Sequence, residues 1–171
     1  VSAASPLRVT GAHLEAFGER FPCAIGRGGL VAAADKREGD GATPLGCWPL
    51  RGVLLRPGRV AVPGLLLPWR WLRPDDGWCD ACADPAYNRP VSHPYPASAE
   101  RLWRDDARYD IIVVLGYNDA PPVPGLGSAI FWHVASDDFR PTEGCVAQAR
   151  PGLQALLPRL RPGMALEIVA A

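Results

Sequence analysis

His133 and Cys145 are the residues of this chain best suited to do chemistry. They fall within Ser128 to Gln148, where an apolar, β-prone run delivers the histidine. A polar loop containing Pro141 follows, and Thr142-Glu143-Gly144-Cys145 then leads into a second small apolar run. A histidine and a cysteine at the ends of neighbouring β elements can form a thiolate–imidazole pair, a common nucleophile for carbonyl carbon at neutral pH. The chain has only three histidines, so few other pairings compete. A free thiol titrates near about 8.5, and an adjacent imidazole can take its proton. Gly144 tolerates unusual backbone angles and lets a substrate carbonyl approach closely. The N–H groups of Gly144 and Cys145 could then bind an oxyanion, worth roughly 3–4 kcal/mol where a single donor matters. Read alone, each residue also has a structural explanation: cysteine is often buried in strands, and a lone histidine is more often a satisfied structural residue than a base.

The remaining cysteines give a weaker signal. Five is an odd number; in an exported protein four could pair and leave Cys145 as a functional thiol. Cys79 and Cys82 form a Cys-x-x-Cys, the spacing of half a zinc site or of a redox motif. Cys23 and Cys47 lack the paired spacing to complete such a site, and no histidine cluster assists. Buried packing or a disulfide is the stronger reading for these four, and no metal or cofactor is expected.

The elements that must position His133 and Cys145 read as mainly β. A length of 171 residues suits one domain, residues 1–171, with a substantial core, and 48% hydrophobic residues fit a globular chain. Zero net charge offers nothing to nucleic acid or to an anionic membrane, and no apolar run approaches a membrane span. The chain begins at Val1, which fits a mature or trimmed form. Leu7–Thr10, His13–Phe17 and Arg20–Ile25 alternate as short strands between glycine turns. A polar loop over residues 35–41 precedes Thr43–Trp48, and Val53–Leu55 reads as a further strand. Residues 57–108 are rich in proline and hold Trp69, Trp71, Trp78 and Trp103. So long an irregular stretch is either a functional loop over a site or a set of short elements, with a short helix expected from Ser98. Tyr109–Leu115 and Ala129–Val134 are strong β runs. Pro151 opens a helix over about 152–160 with Leu153, Leu156, Leu157 and Leu160 on one face, and Met164–Val169 is a last strand.

Two separated patterns resemble one family. Thr43-Pro44-Leu45-Gly46-Cys47-Trp48, after the polar loop around Lys36, is similar to the Thr-Pro-x-Gly-x-aromatic motif of L,D-transpeptidase (YkuD-type) catalytic domains. Gly127-Ser128-Ala129-Ile130-Phe131-Trp132-His133, followed by Thr142-Glu143-Gly144-Cys145-Val146, is similar to their histidine and Ser/Thr-His-Gly-Cys signature. The resemblance implies a β-sandwich-like, mainly-β domain in the cell envelope or periplasm, exported, acting without a cofactor on peptidoglycan stem peptides. It implies Cys145 as nucleophile, His133 as base and the Val134 carbonyl as the group that orients the ring. Oligomeric state is left open.

The departures from the pattern are informative. Glu143 stands where a histidine is usual, Val146, Ala147 and Gln148 replace the customary Arg or Asn, and the loop between His133 and Cys145 is short. These features, with Asp75-Asp76-Gly77-Trp78-Cys79, Pro85 to Pro90, Leu102 to Asp106 and Gly116 to Asp119, resemble a compact branch associated with 1,3-type crosslinks from L-alanine to a diamino acid, rather than the usual 3,3 links. Tyr117, Arg104 and Arg89 are candidates for stem carboxylates, since Arg can bind them bidentately, and Glu143 for a substrate amine. Hydrolysis of stem peptides, or wall binding without catalysis, are the competing functions.

Overall fold

Alternating burial builds the domain around two junctions between β layers. The computed structural model describes residues 6–61 and 64–171; Val1, and Val62-Pro63 within the expected irregular stretch, lie outside the described residues. The strands are β1 (Leu7–Thr10), β2 (His13–Ala16), β3 (Glu19–Ala24), β4 (Leu30–Ala32), β5 (Thr43–Leu55), β6 (Trp69–Trp71), β7 (Asp76–Cys79), β8 (Pro90–Ser92), β9 (Ala99–Arg101), β10 (Ile111–Leu115), β11 (Phe131–Val134), β12 (Val146–Gln148) and β13 (Ala165–Val169). A single α-helix among the described residues, α1 (Arg150–Leu156), runs into a 3-10 turn at Leu157–Arg159. Among the described residues no helix is long and apolar enough to cross a membrane.

One layer joins β3, β2, β1, β13 and the first part of β5; the other joins β12, β11, β10 and the second part of β5. Two strands belong to both layers. β3 pairs with β2 over Glu19–Pro22 and with β12 at Cys23 and Ala24. β5 pairs with β13 over Gly46–Pro49 and with β10 over Leu50–Leu55. The sequence reads as two segments here, Thr43–Trp48 and Val53–Leu55; the structure has one strand of 13 residues. Pro49 falls where the strand changes partner, beside a register shift in β10, so its missing N–H costs no ladder bond there.

The period of two then decides which side chains see which core. From β10 and β11, Ile111, Val113, Leu115, Trp132 and Val134 enter the main core with Leu153, Leu156, Leu157 and Leu160. Ile112 and Phe131 face the other way, into a second cluster with Leu54, Leu72, Leu102, Tyr109 and Cys145. What covers that outer face is the stretch between β5 and β10. It is not structureless: β7 pairs with β8 and β9 in a small antiparallel sheet. The helix expected at Ser98 is instead β9, because Ala99–Arg101 complete the edge of β7. Asp76 anchors this sheet, accepting two hydrogen bonds from the Arg70 guanidinium at 2.7 and 2.9 Å and one from the Arg73 N–H.

None of the four tryptophans of this stretch lines the larger cleft of about 360 Å³, though Trp78 lines a smaller cavity. Trp78 meets Phe131 edge-on, Trp103 lies under the Arg56 guanidinium, and Trp69 and Trp71 form an exposed edge-to-face pair. Cys23 and Cys79 are buried and Cys47 and Cys82 exposed, all as free thiols, so the four form no disulfide.

Candidate active site

His133 and Cys145 come to the same face because β11 and β12 run side by side in parallel. His133 is in register with Ala147, and all three line one cleft of about 360 Å³ on the outer face of that layer. Parallel neighbours usually need a long crossover; here the connection is the loop 135–145, whose return is fixed by Gly26 pairing with Thr142. The Thr142 N–H donates to the Ile25 carbonyl, and the Arg27 N–H to the Thr142 carbonyl, at 2.9 and 2.8 Å.

The His133 ring is buried. Its Nδ1 lies 2.8 Å from the Val134 carbonyl oxygen. A carbonyl only accepts, so Nδ1 carries the proton and Nε2 is the nitrogen left with a lone pair. Burial lowers the imidazole pKa to about 4, against the Val134 hydrogen bond, so the ring is neutral at rest. Tyr109 stands edge-on to it at 5.1 Å, and the Tyr109 hydroxyl donates to Glu100.

Cys145 is buried, and its thiol donates to the Ala129 carbonyl at 3.2 Å and accepts the Phe131 N–H at 3.3 Å. Burial pushes the thiol up to about 12, with the Glu100 charge adding to that and the Phe131 N–H opposing it. The resting pair is therefore thiol and neutral imidazole. Ala129 is held at a φ of 53°, in the left-handed region, by Asn88, whose Oδ1 accepts the Ala129 N–H at 3.1 Å and the Trp78 indole N–H at 2.8 Å. The Asn88 amide donates in turn to the Tyr117 and Asn118 carbonyls. Asn88 thus clamps the small sheet onto the strand that carries His133.

The Thr-Pro-x-Gly motif acts from behind. Thr43 is wholly buried; its Oγ accepts the Gly26 N–H and donates to the Gly144 carbonyl, both at 2.8 Å. Gly144 sits at a φ of 136°, and a Cβ there would lie 2.9 Å from the Ala42 carbonyl oxygen. Thr142 Oγ donates to the Cys145 carbonyl at 2.6 Å and accepts the Gly144 N–H at 3.1 Å. The Gly144 N–H is thus engaged by Thr142 within the loop.

A family model of the L,D-transpeptidase catalytic domain matches residues 17–168. The chain belongs to that family. No curated protein and no solved structure matches at a significant level. L,D-transpeptidase domains act on peptidoglycan peptides, and this one carries their mainly-β fold.

Within this L,D-transpeptidase domain the other sequence candidates fall in different places. Arg104 lines the cleft, forked onto Asp106, which Arg108 also grips. Glu143 is at the cleft's rim, exposed and paired with Arg27 at 2.9 Å. Tyr117 and Arg89 are not in the cleft: both line a smaller cavity of about 160 Å³. The Tyr117 hydroxyl is spent on the Leu126 carbonyl and its ring on Trp48, while Arg89 donates to the Asp119 carbonyl. The cleft instead recruits Glu38, Asp80, Glu100, Arg108 and Arg140. Sequence reasoning missed these five because long-range packing alone unites them. A signal existed for the first: Lys36, the only lysine, is buried and bonds Asp40 at 2.6 Å, fixing the loop that presents Glu38.

Proposed function

We propose that the protein is a cysteine L,D-transpeptidase that joins stem peptides through a thioester acyl-enzyme, with L-alanine of the donor linked to a diamino acid of the acceptor. The observation that supports this most is the His133 tautomer. With Nδ1 bonded to the Val134 carbonyl, Nε2 is available in the cleft that Cys145 lines.

Both groups start neutral, so attack begins as transfer of the thiol proton to Nε2 while Sγ bonds the donor carbonyl carbon. Negative charge develops on the carbonyl oxygen near the Cys145 N–H. The imidazolium then protonates the leaving amine, the C–N bond breaks, and the thioester remains. In the second half a neutral acceptor amine attacks the thioester carbon, and Nε2 takes a proton from the nitrogen. The C–S bond then breaks, and the thiolate recovers that proton as thiol. Arg104 and Arg108, at the cleft edge, suit the carboxylates of the donor stem.

The choice of donor bond rests on the resemblance to the compact branch, several of whose marks build the cover of this cleft: Asp76, Trp78 and Asn88. Working on peptidoglycan, the enzyme belongs in the cell envelope or periplasm.

Purified protein incubated with defined disaccharide-peptides tests the assignment, with dimers sequenced by tandem mass spectrometry. Dimers linked through L-alanine are expected, and none with Cys145→Ala. A 3,3 dimer sinks the bond assignment, and shortened monomers alone identify a hydrolase. Undiminished crosslinking by Cys145→Ala rejects the cysteine mechanism.

A further inference from the structure

Three of the five non-glycine residues with left-handed backbone among the described residues belong to one hydrogen-bonded group: Asn88, Asn118 and Ala129, at φ of 55, 49 and 53°. Asparagine enters that region readily; alanine does not, and its backbone there is strained. Such strain persists only where the surroundings impose it, and it gathers at functional sites. Here the Asn88 side chain imposes it. Asn88 is buried, and both ends of its amide are in full use. Oδ1 accepts the Ala129 N–H at 3.1 Å and the Trp78 indole N–H at 2.8 Å, while Nδ2 donates to the Tyr117 and Asn118 carbonyls at 3.1 and 2.7 Å. No donor or acceptor capacity is left for a substrate. The other end of Ala129 faces the nucleophile. Its carbonyl accepts the Cys145 thiol at 3.2 Å, and the Phe131 N–H donates to the same sulfur at 3.3 Å. Both hydrogen bonds of Sγ thus run to the backbone at the start of β11, and neither to the His133 ring.

We propose that Asn88 is a positioning residue for acyl transfer, a role that rests on the acyl-transfer reading above. Through Ala129 it fixes the carbonyl on which the Cys145 thiol rests, and so fixes where the sulfur and its proton stand before His133 takes that proton. Ala129, His133 and Cys145 line one cleft. The thiol proton turns about the Cβ–Sγ bond, from the Ala129 carbonyl toward Nε2, and passes to that nitrogen as Sγ bonds the donor carbonyl carbon. The Phe131 N–H stays on the sulfur and offsets part of the charge it acquires. No covalent bond to Asn88 or Ala129 forms or breaks. Released from Asn88, Ala129 leaves the left-handed region, its carbonyl turns off the sulfur, and the nucleophile loses its aim. Arg104 and Arg108 are held separately, by Asp106, so donor binding is spared.

The S–H stretching band of Cys145 reads the contact directly in the full chain. The thiol is protonated at rest, burial pushing it up to about 12. Subtracting the infrared spectrum of the matching Cys145→Ala protein removes the four other thiols. In wild type the band should stand at the lower wavenumber of a hydrogen-bonded thiol; a band at the free-thiol position overturns the proposal before any variant is made. Asn88→Gly removes the side chain and keeps a residue at home in the left-handed region. Its band should move to higher wavenumber. Its maximal rate of acylation by a donor stem peptide, followed by intact mass, should fall about tenfold or more, with the half-saturating donor concentration unchanged. Ala129→Gly added to that variant should return band and rate toward wild type, because glycine holds this backbone without the clamp. A general loosening of the small sheet would not be repaired by a second glycine. A wild-type band and rate in Asn88→Gly, or a double variant left unrepaired, overturns the positioning role while acylation of the wild-type protein stands. Failure of the wild-type protein to acylate overturns the acyl-transfer reading, and the positioning role with it.

Discussion

Replacing Thr43 by valine probes how the N-terminal motif serves a cysteine a hundred residues away. Valine matches threonine in shape, so no cavity forms and only the hydroxyl is lost. That hydroxyl satisfies two buried groups, the Gly26 N–H and the Gly144 carbonyl, each at 2.8 Å. Nothing else is placed to replace it, because Thr43 has no exposed surface. A buried polar group left unpaired costs roughly 1–3 kcal/mol, so the two together should cost about 2–6 kcal/mol. With a urea m-value of roughly 2 kcal/mol/M, a mid-range loss of about 4 kcal/mol moves the unfolding midpoint down by about 2 M. Thr43→Ser keeps the hydroxyl and loses one methyl, at about 1 kcal/mol. Urea titration of the three proteins side by side measures the difference. The Gly144 carbonyl is one bond from the Cys145 nitrogen, so the valine variant should also acylate more slowly than the serine variant. A valine midpoint within about 0.3 M of wild type, or a serine variant as weak as the valine one, would refute the assignment of the motif threonine as a tie on the nucleophile loop.

Three further outcomes are expected. Gly144→Ala forces a Cβ to 2.9 Å from the Ala42 carbonyl oxygen at a φ of 136°, and should lower stability by about 1–3 kcal/mol in thermal unfolding and slow thioester formation. His133 has an imidazole lowered to about 4, so between pH 6.5 and 4 the unfolded chain takes up the proton first. Its contribution, roughly 3 kcal/mol, is present above pH 6.5 and lost as pH falls toward 4; the fall in urea midpoint over that range should be smaller in His133→Gln. The Arg27–Glu143 pair is exposed on both sides, and Arg27→Ala should leave the midpoint of the same titration unchanged within its error.

The sequence revealed the strands where glycine punctuation and alternation coincide, as in β1 to β3, and where β-branched runs are dense, as in β10. It concealed the continuity of β5 between Thr43–Trp48 and Val53–Leu55, because a strand that changes partners at Pro49 has a position where no N–H is required. It concealed β7 to β9, each three or four residues long, too short for a period to register. Ala99-Glu100-Arg101 has helical propensity that pairing with β7 overrides. In the site, His133 and Cys145 were legible because their types and order carry a motif. Glu38, Asp80 and Glu100 were not, since they reach the cleft from the Lys36 loop and the small sheet. Tyr117 and Arg89 were misplaced because chain position does not say which way a loop side chain turns.

The parallel pairing of β11 and β12 has an evolutionary consequence. The base and the nucleophile are set by strand adjacency and by ties to Gly26, Thr43 and Asn88, none of which lies in residues 135–141. Asp137, Asp138, Arg140 and Pro141 are exposed, while Ser136, Arg140 and Pro141 form the outer wall of the cleft. The connection between the two parallel strands is thus a module whose length and charge can drift while the chemistry stays in place. A short version leaves the cleft open on that side, and lengthening it would narrow the range of stems admitted without rebuilding the domain.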